Sequence, residues 1–541
     1  MTVQVTYRDE GVASAAAPVA ARLVDGGVPE RLAAGDASLW GDGPGDGTGA
    51  ADRLGWLTLP RGSRELLPEL EKLTERIRAQ GLTHVVLSGM GGSSLAAEVI
   101  CNTADVPLTV LDSSDPAQVR RALTDRPEAT TLVVSSKSGT TVETLAHLSV
   151  YEALFREAGV DPADRIVIVT DPGTPLEQYA IDSGYQLVLA RPDVGGRYSA
   201  LSAFGLVPSA LAGADVARLL DEAEEVLPLL AKRDGNPGFD LGVALGATAL
   251  AGRDKLLLED QLSQINGLPD WIEQLVAEST GKQGRGILPV VGAEWHGADD
   301  ELVVAIESDD GDLRVDGPLG AQFLVWEYAV ALAGLVLDVD PFDQPDVAEA
   351  KRNTAALLAM PALPVGEPVL VDGPVEVYGA TGAKDLPGVL SAMLKAIPDD
   401  GYMSVMGYLD RLAAFDAPVP ENADFEQMTD AWLAADAATL RALLALRTER
   451  PVTFGWGPRY LHSTGQFHKG GPRNGVFILI TGAVSEDVPV PGEKYSLGTL
   501  QLSQALGDLG ALLERGRPAV RLHLTDRAAG VAHLLAAAQE A

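Results

Sequence analysis

The feature that most constrains this chain is an alternation of short apolar runs with helical stretches between residues 84 and 189. His84-Val85-Val86-Leu87-Ser88, Pro107 to Asp112, Thr131-Leu132-Val133-Val134, Arg165 to Thr170 and Gln186-Leu187-Val188-Leu189 read as strands. Runs this short and this apolar suit strands buried on both faces. Helical stretches such as Leu95 to Cys101, and one beginning near Pro116, lie between them. Strands alternating with helices predict an α/β fold, with a parallel sheet covered by helices on both sides. Ligands of such sheets sit beyond the C-terminal strand ends.

Two turns fall at that edge. Gly89-Met90-Gly91-Gly92-Ser93-Ser94 follows the first strand, and Ser135-Ser136-Lys137-Ser138-Gly139-Thr140-Thr141 follows the third and leads into a helix from Val142. Small hydroxyl residues before a helix suit an ordinary N-cap. They equally suit a phosphate cradle, where hydroxyls, N–H groups and the helix dipole surround an anion. The position at the sheet edge favours the cradle. The glycine turn fails as a dinucleotide fingerprint, because Ser94 stands at the third glycine position; Asp112, the candidate acidic partner, is equally a plain strand end.

The balance of 41 basic against 76 acidic residues gives a formal charge of −35, which argues against nucleic acid or an anionic membrane as partner. A phosphate site must therefore be locally basic. At 541 residues the chain is long enough for two or more domains. Its single cysteine, Cys101, allows no internal disulfide and reads as a small buried hydrophobe, and no Cys/His spacing suggests a metal. The first residues lack a signal-peptide pattern and no apolar run looks long enough to span a membrane, so a cytoplasmic location is expected.

Residues 1 to about 75 look helical and loop-rich, with a loop at Asp42 to Asp52 and a charged amphipathic helix at Ser63 to Ala79. Gly195-Gly196-Arg197-Tyr198-Ser199 could aim a fixed cation into a cleft, although a surface arginine after a turn is the commoner case. A second alternating region starts near Pro237, with strands at Asp254 to Leu258 and Leu302 to Ile306 and an apolar helix at Phe323 to Leu337. Gln274 and Glu278, four apart, would share a helical face. Pro345 suits a first helical turn, and Gln344 and Lys351, seven apart, would share another face. In the last third, strands are expected at Val369 to Val371, Tyr402 to Met406, Thr453 to Trp456 and Val476 to Thr481, and a helix at Leu433 to Leu446. The Gly-rich segment Gly457 to Gly471 carries two of the seven histidines, His462 and His468, which favours a site there.

Taken together, these motifs resemble those of the phosphoglucose isomerase family. They are the first glycine loop (Gly89 to Ser93), the phosphate loop (Ser136 to Thr144), the arginine motif (Gly195 to Ser199), the base-bearing segment (Gln274 to Lys282) and the late lysine helix (Phe342 to Lys351). All five stand in family order across about residues 80 to 355. The last third resembles the isomerase half of transaldolase/glucose-6-phosphate isomerase fusions, particularly around Tyr460 to Gly471; no transaldolase-length region precedes residue 80, so that activity is not implied. The resemblance implies two sugar-isomerase-type doubly wound domains, at 79–232 and 233–541, behind a helical segment at 1–78. It implies reversible conversion of glucose 6-phosphate to fructose 6-phosphate through a cis-enediolate, with no cofactor or metal, in a homodimer. Glu278 would be the base and Arg197 would stabilise the enediolate. Lys351 and a histidine would open the sugar ring. Gly92, Ser93, Ser136, Lys137, Ser138 and Thr141 would hold the phosphate, and Gln274 and Gln344 would bond substrate oxygens. The family's histidine lies between the base and the late lysine, where this chain has only His296, outside any matching motif. Ser463 to His468 resembles the Gln-His motif with one extra residue, which favours His468 over His462. Two alternatives share much of this pattern, a dual phosphoglucose/phosphomannose isomerase and a non-catalytic sugar-phosphate-binding regulator.

Overall fold

The structure, a computed structural model, describes residues 2–41, 50–292, 297–379, 382–419 and 423–541. Residues 42–49 of the expected loop, and His296, lie outside the described residues. The chain opens with β1 (Gln4–Tyr7) and then builds its first sheet from β2 (His84–Gly89), β3 (Thr109–Leu111), β4 (Thr130–Ser135), β5 (Ile166–Thr170) and β6 (Gln186–Leu189). All pairings in this sheet are parallel and the order is β3-β2-β4-β5-β6. The order reverses between β2 and β4. The glycine turn after β2 and the serine turn after β4 therefore flank the crevice where a doubly wound sheet takes its ligand.

The second sheet contains β7 (Lys255–Glu259), β8 (Leu288–Val291), β9 (Glu301–Ile306) and β10 (Leu313–Asp316), in the order β1-β10-β9-β7-β8. Its pairings are parallel except β1 on β10. The N-terminal segment is helical over most of its described length and also supplies one strand, which the sequence reading did not include. Its strand caps the open edge of β10, and the amphipathic stretch from Ser63 becomes a short 3-10 turn followed by the helix Leu67–Ala79. Pro68, in the first turn of that helix, suits a helix start and not its interior.

The expected second unit, 233–541, is built as two sheets. The third consists of β11 (Leu370–Asp372), β12 (Val375–Tyr378), β13 (Tyr402–Tyr408), β14 (Val452–Trp456), β15 (Gly475–Gly482) and β16 (Ala519–Leu524), ordered β11-β12-β16-β15-β13-β14. Residues 361–541 therefore do not extend the second sheet. The helix expected over Leu433 to Leu446 is split into Phe425–Ala435 and Thr439–Ala445 by the extended backbone of Asp436.

Strand periodicity sets how the sheets meet, since alternate residues point to opposite faces. Leu256 and Leu258 enter the large core shared with the first sheet, whereas Leu257 faces a seam with Tyr402, Met406, Tyr408 and Phe477 of the third. Met403 and Val405 point the other way, into the third sheet's own core. Val488, Val490, Leu497 and Leu500 pack on the first sheet's remaining face. The C-terminal third thus touches both other sheets. Charge ties it down as well. Arg459 donates to Glu98 and Asp112, each at 2.7 Å, so Asp112 is held in an ion pair. The helix Leu319–Leu337 is apolar and long enough to cross a membrane, contrary to the sequence expectation, but 94% of it is buried inside the fold. It packs against the helices Val216–Leu230, Pro237–Leu250 and Leu268–Thr280 as a core helix.

Candidate functional site

The serine turn shows why small hydroxyl residues are needed where they stand. Ser136 is buried; its Oγ lies 2.9 Å from Thr141 Oγ1 and accepts from the Gly139 N–H at 3.2 Å. It braces the turn from behind, while Lys137, Ser138 and Thr141 line a cavity of about 550 Å³. Thr141 is the N-cap residue of the helix Val142–Glu157, yet its side chain makes no capping bond. The Thr141 hydroxyl is therefore not spent on the first-turn N–H groups, and the positive end of the helix lies at the cavity that Thr141 lines. Gly92 and Ser93 line the same cavity from the neighbouring turn. A Cβ on Gly92 would lie 2.0 Å from the Gly196 carbonyl oxygen, and one on Gly91, at φ +54°, 2.5 Å from that of His462. Only glycine lets the first turn touch both the arginine turn and the histidine segment.

Across the cavity stands Glu278, on the helix Leu268–Thr280. It is 6% exposed. Gln274, one turn earlier, donates to Glu278 Oε2 at 3.2 Å and to the His462 carbonyl at 2.7 Å. The Arg197 Nη1 lies 3.7 Å from Glu278 Oε2. The remaining donors of Arg197 are fixed by Ser279 Oγ at 2.8 Å and by the carbonyls of Pro341 and Asp343 at 2.5 and 2.9 Å, and Nη1 also reaches Gln344 Oε1 at 3.4 Å. Buried Lys282 bonds the Asp343 carbonyl at 2.6 Å and its carboxylate at 2.5 Å. Burial, and then Arg197, push the Lys282 ammonium down to about 8. Two cations thus pin the loop that presents Gln344. Gln344 lies outside the helix, which starts at Val347, so it does not share a helical face with Lys351 as the spacing suggested; Pro345 likewise precedes the helix. Lys351 lines the cavity from that helix.

The two histidines separate. His462 ends a short 3-10 turn, Arg459–His462, and lines the cavity. Its Nε2 lies 3.0 Å from Glu143 Oε1, which also accepts from Gln504 Nε2 at 2.6 Å. Burial alone would raise the Glu143 carboxyl, but the His462 imidazole beside it and Lys351 further off hold it down at about 2. His468 does not reach the cavity. It is 1% exposed, stacks on Tyr402, and bonds Tyr402 Oη through Nδ1 at 2.8 Å. Burial pushes its imidazole well below the ordinary range. The geometry therefore brings His462, and not the preferred His468, to the cavity. The short helix Gly465–Gly470 turns its side chain into the seam between the second and third sheets.

Sequence reasoning left several cavity groups unassigned. Glu143 lies inside the phosphate motif and meets the cavity through His462; its position two residues past the turn, in the first turn of the helix, was a usable signal. Asp171 directly follows β5, so the strand-end rule could have found it. Nothing in the sequence pointed to Arg53, which reaches the cavity from the N-terminal segment and donates to the Pro192 carbonyl at 2.5 Å.

Hydroxyl side chains at a doubly wound switch point, facing a carboxylate beside an arginine, form an arrangement suited to a small anion and to acid–base chemistry. Comparison with known proteins gives the family. The phosphoglucose isomerase family model matches residues 64–283, ending just past Glu278 and leaving His462 outside. A protein of Natronomonas pharaonis named "Probable glucose-6-phosphate isomerase" is 31% identical over 342 residues, 56% of this chain and 79% of its own length. One of Haloarcula marismortui with the same name is 37% identical over 213 residues, 38% of this chain and 48% of its own. A glucose-6-phosphate isomerase of Rubrobacter xylanophilus is 28% identical over 395 residues, 58% of this chain and 91% of its own. The chain belongs to the phosphoglucose isomerase family.

Proposed function

We propose that the chain is a glucose-6-phosphate isomerase that interconverts glucose 6-phosphate and fructose 6-phosphate in the cleft between its three sheets. The observation that carries this reading is Glu278, buried but facing the cavity, with Arg197 at 3.7 Å and the hydroxyl cradle across from it. Lys137, Ser138, Thr141 and Ser93, with the N-terminal end of the helix Val142–Glu157, hold the phosphate. His462, oriented by Glu143, and Lys351 move protons on the ring oxygens so that the sugar opens. Glu278 then takes the proton from C2 of the open aldose. The electron pair left behind forms the enediolate, whose negative oxygen lies toward the fixed guanidinium of Arg197. Return of the proton to C1, with proton transfer from the C2 hydroxyl to the C1 oxygen, gives the ketose. Proton movement between adjacent carbons leaves the overall oxidation level unchanged, so the reading calls for no redox cofactor, and it gives the charge-stabilising role to Arg197 in place of a metal. Holding the phosphate keeps C1 and C2 beside the carboxylate. We carry the homodimer and the cytoplasmic location in the proposal on the strength of the family resemblance, together with a first domain at 79–232.

The test is a coupled assay for glucose 6-phosphate formed from fructose 6-phosphate without added metal. Turnover supports the reading, and its absence favours a sugar-phosphate-binding regulator. Mannose 6-phosphate in the same assay decides whether the activity is dual.

A further inference from the structure

Within the cradle, Lys137 is not a waiting cation. Its ammonium is ion-paired to Asp171 Oδ2, and the two side chains are only 19% and 12% exposed. The Arg191 carbonyl is a second, longer acceptor at 3.4 Å. Both residues line the cavity, Lys137 from the turn after β4 and Asp171 from the residue after β5. Among the described residues Asp171 Oδ1 is buried without a hydrogen-bond partner, and Lys137 is the side chain that bonds this carboxylate. The other charged groups that face the pair are Arg53, from the N-terminal segment, and Asp193, beyond β6. Asp193 is itself bound by Arg191 at 2.5 and 2.9 Å.

We propose that Asp171 is an internal counter-ion that occupies Lys137 in the empty cleft, and that the phosphate of a substrate must displace it. A phosphate dianion and a carboxylate cannot share one ammonium in a partly desolvated site without strong mutual repulsion. Binding therefore breaks the Lys137–Asp171 pair, and Asp171 turns away or takes up a proton. Asp171 thereby lowers the affinity of the cradle for every phosphorylated ligand and keeps KM high, while it prevents a buried, unpaired ammonium between turnovers. Burial raises the Asp171 carboxyl above its ordinary value, which eases the protonated alternative. This inference rests on the sugar-phosphate reading of the cleft and adds a group that opposes binding.

The prediction has a sign. If Asp171 merely positions Lys137, its removal weakens anion binding. If it competes with the ligand, removal strengthens it. Asp171→Asn and Asp171→Ala, each checked for folding by circular dichroism, should bind inorganic phosphate on the order of tenfold more tightly by calorimetry, and KM for fructose 6-phosphate should fall with it. The double variant Lys137→Met/Asp171→Asn should lose this gain. Unchanged or weaker phosphate binding in both folded single variants would overturn the proposal. Inorganic phosphate needs no turnover, so tighter binding in a chain that fails the isomerase assay would keep the counter-ion and discard the isomerase.

Discussion

His462 and His468 lie six residues apart on one segment, and the fold gives them opposite environments. His462 sits at the end of a 3-10 turn, faces the cavity and meets a carboxylate. His468 lies on the next short helix, stacked on Tyr402 in an aromatic seam that disfavours its charged form. A general acid must gain and lose a proton near the working pH, so it needs a polar neighbour and a path to the substrate. His462 has both, whereas His468 has the Tyr402 hydroxyl beside it but no path to the cavity. The sequence around the two is equally rich in glycine and hydroxyl groups. Environment, and not motif, separates a site histidine from a core one.

The comparison is broken most sharply by exchanging the histidines. His462→Asn should lower kcat by roughly 10²-fold or more, because ring opening loses its proton carrier. Pre-opened substrate analogues should be far less affected. A variant that opens glucose 6-phosphate at the normal rate would return the role to another group. Glu143→Gln comes next, with a loss of roughly 10- to 100-fold, since His462 would lose a charge-assisted hydrogen bond. This variant also tests stability. The folded carboxyl, at about 2, lies below its ordinary 4.5, so the charged form contributes stability above pH 4.5 that is lost as pH falls toward 2. Glu143→Gln should flatten the acid limb of a plot of melting temperature against pH; an unchanged limb would deny the coupling. The smallest effect on activity belongs to His468→Asn. Its turnover per folded molecule should stay within about twofold, while stability falls by roughly 1–3 kcal/mol as Tyr402 loses its partner. A large kcat loss in a folded His468→Asn variant would erase the distinction drawn here.

Much of the first sheet was legible because parallel strands buried on both faces announce themselves as apolar runs, and because a turn at a strand end has a meaning that composition alone lacks. Glu278 and Gln274 were legible for a similar reason, since a four-residue spacing on a helix fixes a shared face, and their side chains do bond. Three things were hidden. The edge strand Gln4–Tyr7 owes its conformation to β10, more than 300 residues away in sequence, and has no strong pattern of its own. The third sheet required knowing that Leu257 and Tyr402 face one seam. The choice of histidine depended on which of two adjacent short helical turns meets Glu143, a contact across 319 residues of chain. Local periodicity carries no information on contacts of that range.

The central claim is that Glu278 carries a proton between C1 and C2. It is tested most directly by following fructose 6-phosphate in deuterium oxide by proton NMR, with the native chain and with Glu278→Gln. The native chain should form glucose 6-phosphate and place deuterium at C2 of the aldose and C1 of the ketose. Glu278→Gln should bind inorganic phosphate normally yet lower both conversion and exchange by roughly 10²–10⁴-fold. Undiminished deuterium exchange in the folded variant would contradict the account and move the base elsewhere in the cleft.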